Sequence, residues 1–231
     1  MLKKWDEIPD FMRCKEVKPY YDILSKKKLS LKFKRIFDIV IAGGMLIVLA
    51  IPMIIISIMI KIDSAGPVFY RQERITAYGK KFKIHKFRTM VNNADKIGTT
   101  VTVDADSRIT SVGSKLRKLR IDEIPQLLDI LSGDMSFVGT RPEATKYVDK
   151  YTNEMKATLL LPAGITSEAS IRYKDEAKLL NNVENVDEIY VNKILSEKMK
   201  YNLESIKRFS LLEDIKTMFR TVFAVCGKEY S

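Results

Sequence analysis

Asp122 and Glu123 stand side by side, and Arg117, Lys118 and Arg120 fall within the five residues before them. The segment Lys115 to Leu131 has helical apolar spacing, but Pro125 forbids an undisturbed helix through it. A helix that begins near Asp122 or Glu123 resolves the conflict, because proline is tolerated in a first turn whose N–H groups have no partner anyway. Such a start attracts phosphate, and the cations and helix dipole keep one carboxylate ionised. An ionised aspartate can attack phosphorus and form an acyl phosphate, splitting one hard transfer into two easier ones. The neighbouring carboxylate suits Mg²⁺, which takes oxygen ligands and shares one or two carboxylates with substrate phosphates. Acidic residues at a helix start are also common caps, so these residues alone leave both readings open.

Other chemical motifs are sparse. Neither G-x-x-x-x-G-K-[ST] nor G-x-G-x-x-G occurs, which argues against an ATPase or a nicotinamide enzyme. Asp104-Ala105-Asp106 has the D-x-D form of some metal-holding glycosyltransferases, but so short a pattern arises by chance. His85 is the single histidine, and its place in an alternating strand pattern favours a structural role. Cys14 and Cys226 are far apart with no paired ligand near either, which excludes a zinc knuckle and a disulfide framework. The 231 residues are 46% hydrophobic and 30% charged, a packed globular composition, and the net charge of +11 calls for anionic partners.

The elements that must position these residues begin with an apolar run. Ile39 to Ile60 is 22 residues without a charge, roughly 33 Å of helix and long enough for a bilayer. No cleavable signal peptide is expected from Met1 to Ser30, so membrane contact is retained. Both flanks are basic: Lys26, Lys27, Lys28, Lys32, Lys34 and Arg35 precede the run, and the stretch from Lys61 to Ile121 carries fourteen basic and five acidic residues. A simple span would leave one basic flank on the wrong side. With Pro52 near the middle and Gly43-Gly44 as a soft point, a helix that dips in, bends at Pro52 and returns is favoured, and an ordinary kinked span is the competing reading. Residues 1–32 read as a basic extension, 33–62 as helix-break-helix and 63–231 as a cytoplasmic domain. Within that domain, Val68 to Tyr70 and Phe82 to Phe87 read as strands, Asn92 to Asp106 as a polar loop and Ser136 to Gly139 as another strand. Pro162 to Gly164 reads as a turn, and Glu168 to Glu197 as largely helical surface. The stripe Leu211, Leu212, Ile215, Met218, Phe219, Val222 and Phe223 makes a basic amphipathic helix that suits either a membrane interface or the domain core. The fold class is α+β, mainly helical with a small β-sheet.

Five pieces carry a resemblance: FKRIFDIV from Phe33, GPVFYRQER from Gly66, KFRTM from Lys86, DSRIT from Asp106 and IDEIPQLLDILSGDMSFVGTRPE from Ile121. In this order they resemble the bacterial sugar transferases, the monotopic phosphoglycosyl transferases that begin glycan assembly on a polyprenol carrier. The resemblance covers most of residues 33–225. It implies a re-entrant helix with both ends on the cytoplasmic face of the bacterial inner membrane, Asp122 as nucleophile, Glu123 as Mg²⁺ ligand, and Arg117 and Arg141 as phosphate clamps, with Pro142 beside Arg141. Lys86 and Arg88 would help neutralise phosphate or serve as ordinary strand-edge charges. Relatives commonly bend the helix at Ser-Pro, where this chain has Ile51-Pro52. They also carry P-G-I-T-G-W-A-Q and then a basic residue, where this chain reads from Pro162 to Lys174 without the tryptophan; Arg172 and Lys174 both qualify as that basic residue.

The expected activity is therefore transfer of a sugar-1-phosphate from a UDP-sugar to undecaprenyl phosphate, with Mg²⁺ as cofactor. The expected partners are membrane lipid and downstream glycosyltransferases, with no nucleic acid. The rivals are a one-step transferase in which Asp122 only binds metal, and a non-catalytic basic membrane adaptor.

Overall fold

Pro52 does not interrupt the apolar helix. In the computed structural model, which describes residues 2–94, 106–174 and 186–225, helix α2 runs over Lys28–Asp63 with Pro52 inside it. It begins earlier than the apolar run and shows no break between two helices, because the proline's missing N–H removes a single bond from a long ladder. One turn later the Ser57 hydroxyl donates to the Met53 carbonyl at 2.6 Å, a back-bond of the kind that bends helices. The short helix α1 (Lys18–Ser25) precedes it.

The two ends of α2 hold the same body of protein. Near its start Arg35 donates to the carbonyls of Ile130 and Leu131 at 2.6 and 2.9 Å, and these end helix α4 (Leu127–Ser132). Lys34 donates to the Val138 carbonyl at 3.0 Å and to Asp214 Oδ2 at 2.6 Å. Ala42 is buried with Phe82, Ile84, Leu127, Ile130 and Phe137. At the other end Ile60 is buried with Phe87 and Leu116, and Asp63 Oδ2 accepts the Val112 N–H at 2.9 Å. Between these anchors Ile47, Ile51, Ile54, Ile55 and Ile58 are exposed. The helix is long and apolar enough to cross a membrane, and 6% of its most apolar window is buried.

The small sheet is two pairs. Strands β1 (Phe69–Ile75) and β2 (Lys81–Phe87) form an antiparallel hairpin, and β3 (Met135–Val138) pairs in parallel with β4 (Ala163–Thr166). Pro162 to Gly164 was expected as a turn, but Ala163 and Gly164 belong to β4. The parallel pairing is the reason: Gly164 lies so close to Gly139 that a Cβ on Gly164 would sit 2.1 Å from the Gly139 nitrogen. His85 is structural as expected, with its N–H and Nδ1 both on the buried Asp129 carboxylate at 2.8 and 2.6 Å.

Helix α3 (Ser111–Lys118) follows the hairpin, and α5 (Thr145–Val148) and α6 (Glu168–Arg172) flank β4 in sequence. The last part comprises α7 (Val186–Ile189), a π-helical turn Tyr190–Leu195, α8 (Ser196–Lys207) and α9 (Leu211–Val225). This stretch is less superficial than its charge suggests, since Tyr190, Ile194, Leu195 and Met199 are buried. They share the largest core cluster with Ile8, Met12, Val17, Tyr20 and Leu24 of the N-terminal region, where Trp5 packs against the cluster. Helix α9 buries none of its residues, and Leu212, Phe219 and Val222 are exposed. Asp104, Cys226 and most of the Asn92 to Asp106 loop lie outside the described residues.

Candidate active site

Position starts with α3. Thr110 caps it by accepting the Gly113 N–H at 3.0 Å, and Asp63 from the end of α2 caps the adjacent N–H. Both follow the usual N-terminal rule that a side-chain oxygen satisfies an orphan donor. Gly113 is needed because a Cβ there would meet the Thr89 carbonyl oxygen at 2.1 Å. The helix is thus pressed against the end of β2, and Arg117 reaches the Thr89 hydroxyl at 3.5 Å. Asp106 of the D-x-D pattern spends its carboxylate on Arg108, at 2.6 and 2.9 Å, and so shapes this turn.

After α3 the chain turns through Arg120, held in the left-handed region at φ 57°. A residue with a side chain is uncommon there, so the reversal is imposed by its surroundings. Arg120 donates to the Lys174 carbonyl at 2.8 Å. A tight 3-10 turn, Ile121–Gln126, comes next and carries Asp122 and Glu123 in its first turn and Pro125 inside. The helix start expected at these carboxylates is therefore a 3-10 turn leading into α4. Pro125 fits because the tighter turn and the following α4 divide the segment at that point.

Asp122, Glu123, Lys86 and Arg141 converge. Glu123 Oε1 accepts Lys86 Nζ at 2.7 Å and Arg141 Nη2 at 2.6 Å, while Arg141 Nη1 stands 3.4 Å from Oε2. Burial alone would raise the Glu123 carboxyl, but Arg141 and Lys86 hold it well below the usual carboxylate range. Asp122 is buried beside it, and there burial wins: its carboxyl is pushed up, with Lys86 opposing and the Glu123 charge adding. Burial also pulls the Lys86 ammonium down against the pull of Glu123. Two adjacent carboxylates thus have opposite environments, one fixed as an anion by its partners and one withdrawn from water without a hydrogen-bonded cation.

The remaining expected residues divide. Arg117 and Arg141 both act on Asp122 through charge, and Pro142 is a buried, rigid link after Arg141. Arg88 does not join them. Its Nη1 donates to the Ala65 carbonyl at 2.8 Å and its Nη2 to the Ser64 carbonyl and hydroxyl at 2.6 and 3.0 Å. Arg88 therefore closes the end of α2, where free carbonyls attract a cation. Arg172 pairs with Glu168 at 3.0 Å and stacks over Tyr201 at 4.8 Å, on the wall of a cavity of about 380 Å³ that Asp122 and Glu123 do not line. Lys174, exposed, touches the turn before Asp122 through its carbonyl.

Sequence reasoning did not single out Arg74, Glu143, Tyr190 or Lys198. Glu143 is buried two residues after Arg141; the Tyr190 hydroxyl donates to its Oε1 at 2.7 Å and Lys198 Nζ lies 3.5 Å away. Its carbonyl accepts the Ile75 N–H at 3.0 Å, which ties the Arg141–Pro142–Glu143 arm to β1. Glu143 and Arg74 lay within quoted motif pieces and could have been marked, whereas Tyr190 and Lys198 carry no local signal.

Among the described residues no group of three or more His, Cys, Asp or Glu side chains could hold a metal ion by itself. Glu123 fits Mg²⁺ as a carboxylate ligand whose shell substrate phosphates would complete, because its Oε2 has only the long Arg141 contact.

The family model described as bacterial sugar transferase matches residues 29–228. A UDP-N-acetylgalactosamine-undecaprenyl-phosphate N-acetylgalactosaminephosphotransferase of Aeromonas hydrophila is 34% identical over 197 residues, 82% of this chain and 42% of that protein. A UDP-glucose:undecaprenyl-phosphate glucose-1-phosphate transferase of Escherichia coli is 35% identical over 195 residues, 82% of this chain and 39% of that protein. Exopolysaccharide production protein ExoY of Sinorhizobium fredii is 32% identical over 208 residues, 84% of this chain and 85% of that protein. The chain thus spans about two fifths of the first two relatives and most of the third. With a match over most of its length, across the turn that carries both carboxylates, the chain belongs to the bacterial sugar transferase family.

Proposed function

We propose that the protein transfers a sugar-1-phosphate from a UDP-sugar to undecaprenyl phosphate through a covalent intermediate on Asp122, at the cytoplasmic face of the bacterial inner membrane, and so starts assembly of a glycan. The observation that carries this reading is the contrast between the adjacent carboxylates: Glu123 is fixed by Lys86 and Arg141, while Asp122 is buried with cations near but not bonded to it.

Asp122, once deprotonated, attacks the sugar-bearing phosphorus, and a nucleoside monophosphate leaves. The acceptor phosphate then displaces Asp122 from the phosphosugar. Arg141 and Lys86 offset charge on the phosphoryl oxygens, and Arg117 stands ready from the last turn of α3. Mg²⁺, held by Glu123, would supply further charge neutralisation on the donor diphosphate. Helix α2 would enter and leave the membrane on one face, supported by the docking of both its ends on one domain. The exposed apolar residues of α9 would lie in the interface.

The test is release of UMP from a panel of UDP-sugars by detergent-solubilised protein with Mg²⁺ and undecaprenyl phosphate, for wild type and Asp122→Asn. Release that needs Mg²⁺ and Asp122, with a phosphosugar adduct on the Asp122 peptide by mass spectrometry, is the expected result. Release without an adduct would favour one-step transfer, and no release from any donor would favour the adaptor.

A further inference from the structure

Arg74 has no role in the account above, yet it borders the site. It is the penultimate residue of β1, opposite Phe82. The next residue, Ile75, donates its N–H to the Glu143 carbonyl at 3.0 Å, so the end of the strand runs beside Arg141, Pro142 and Glu143. The half-buried guanidinium donates from Nη2 to Gln72 Oε1 at 2.5 Å. No described residue accepts from its Nε or Nη1, and neither atom is among the sealed, partnerless polar atoms, which are Arg88 Nε, the Gln126 amide atoms and Asn202 Oδ1. These nitrogens are therefore not sealed off and keep N–H groups to offer.

Burial pulls the Arg74 guanidinium below its ordinary value, Glu143 opposes this and Arg141 adds to it. Glu143 already serves Tyr190 and faces Lys198, and Glu123 already serves Lys86 and Arg141. Two guanidiniums brought together in a partly dry place cost free energy unless an anion joins them. Asp122 interacts with Lys86, Glu123, Arg117 and Arg141, whereas Arg74 interacts with Glu143 and Arg141. In the hairpin register Arg74 pairs with Phe82 and Tyr70 with Lys86, so Arg74 stands on the same face of the hairpin as Lys86, four residues further along β1.

A diphosphate that offers its sugar-bearing phosphorus to Asp122 carries its second phosphate one oxygen further on. Resting on the function proposed above, we infer that Arg74 binds the non-reacting, nucleoside-bearing phosphate of the donor and holds it as it leaves. In that step an Asp122 oxygen bonds to the sugar-bearing phosphorus while the bond from that phosphorus to the bridging oxygen breaks. The electron pair stays on the bridging oxygen, which departs with the nucleoside monophosphate, and no proton moves. The remaining N–H donors of Arg74 meet the added negative charge, in the forked geometry that guanidinium offers phosphate.

The experiment uses the full chain in detergent with Arg74→Met and Arg74→Lys. Direct binding of UMP, single-turnover UMP release without acceptor, and transfer of the preformed phosphosugar to undecaprenyl phosphate are measured separately, along with the unfolding temperature. Arg74→Met should weaken UMP binding and slow release by about 10- to 100-fold, the range for losing charge-assisted hydrogen bonds. Arg74→Lys should fall between it and wild type. Transfer to the acceptor, whose phosphate enters where UMP left, should slow by a similar factor, and the unfolding temperature should hold or rise because a charge facing Arg141 is gone. Unchanged UMP binding by Arg74→Met would overturn the inference. If the wild type releases UMP from no donor, the proposed function fails, and the UMP affinities of the variants still decide whether Arg74 binds this phosphate.

Discussion

Asp122 and Glu123 differ by one position and little chemistry, yet their surroundings set them apart. Glu123 is bonded to two cations and stays ionised, while burial raises Asp122 against the pull of Lys86, Arg117 and Arg141. If Asp122 attacks as the carboxylate, activity should appear as pH rises through its raised pKa. The acid limb of kcat/KM should therefore lie above the ordinary aspartate value of 3.8. Lys86 lowers the Asp122 pKa, so Lys86→Met should move that limb to still higher pH; a limb that stays put or moves down would reject the assignment. The profile is read from initial rates of UMP release.

At the scale of elements, the site depends on how closely α3 approaches β2. Gly113→Ala places a methyl 2.1 Å from the Thr89 carbonyl oxygen, and backbone there cannot yield cheaply. A loss of about 1–3 kcal/mol in stability is expected from this overpacking, with a fall in activity because Arg117 shares the helix; thermal unfolding and turnover measure the two effects. The pair Lys34–Asp214 joins α2 to α9 with side chains 8% and 14% exposed. Lys34→Met leaves Asp214 buried without its ion partner and should cost about 3–5 kcal/mol, whereas the double change Lys34→Met with Asp214→Leu should recover most of that loss. Susceptibility of α9 to limited proteolysis would report whether its docking is what fails.

On the scale of the whole molecule, α2 is a long apolar helix fastened at both ends to one domain. Arg35 and Lys34 bind the end of α4 and β3, and Asp63 and Ile60 bind α3 and its surroundings. A helix that crossed the bilayer would put these two anchors on opposite sides. After Cys14 and Cys226 are replaced by serine, single cysteines at Lys28 and at Lys61 should both react with an impermeant maleimide from the same face of sealed vesicles. Labelling from opposite faces would reject the re-entrant arrangement.

Several features were legible in the chain itself. A run of 22 uncharged residues reads as one apolar helix by its length, because across lipid a single segment must satisfy its own backbone hydrogen bonds. The clash of Pro125 with helical spacing located the turn that holds Asp122 and Glu123, and the ordered motif pieces pointed to the family. Local sequence cannot say which distant side chain a charge will meet: Arg88, just beyond the end of β2, is drawn to the free carbonyls at the end of α2. Lys86 alone of the two meets Glu123, since β2 ends at Phe87 and Arg88 beyond it turns to the end of α2. Tyr190 and Lys198 reach Glu143 across more than forty residues, a pairing that exists only once the core has closed. The ordered motifs thus identified the family from sequence alone, and tertiary packing, through burial and long-range pairing, decided which charges meet at the two carboxylates.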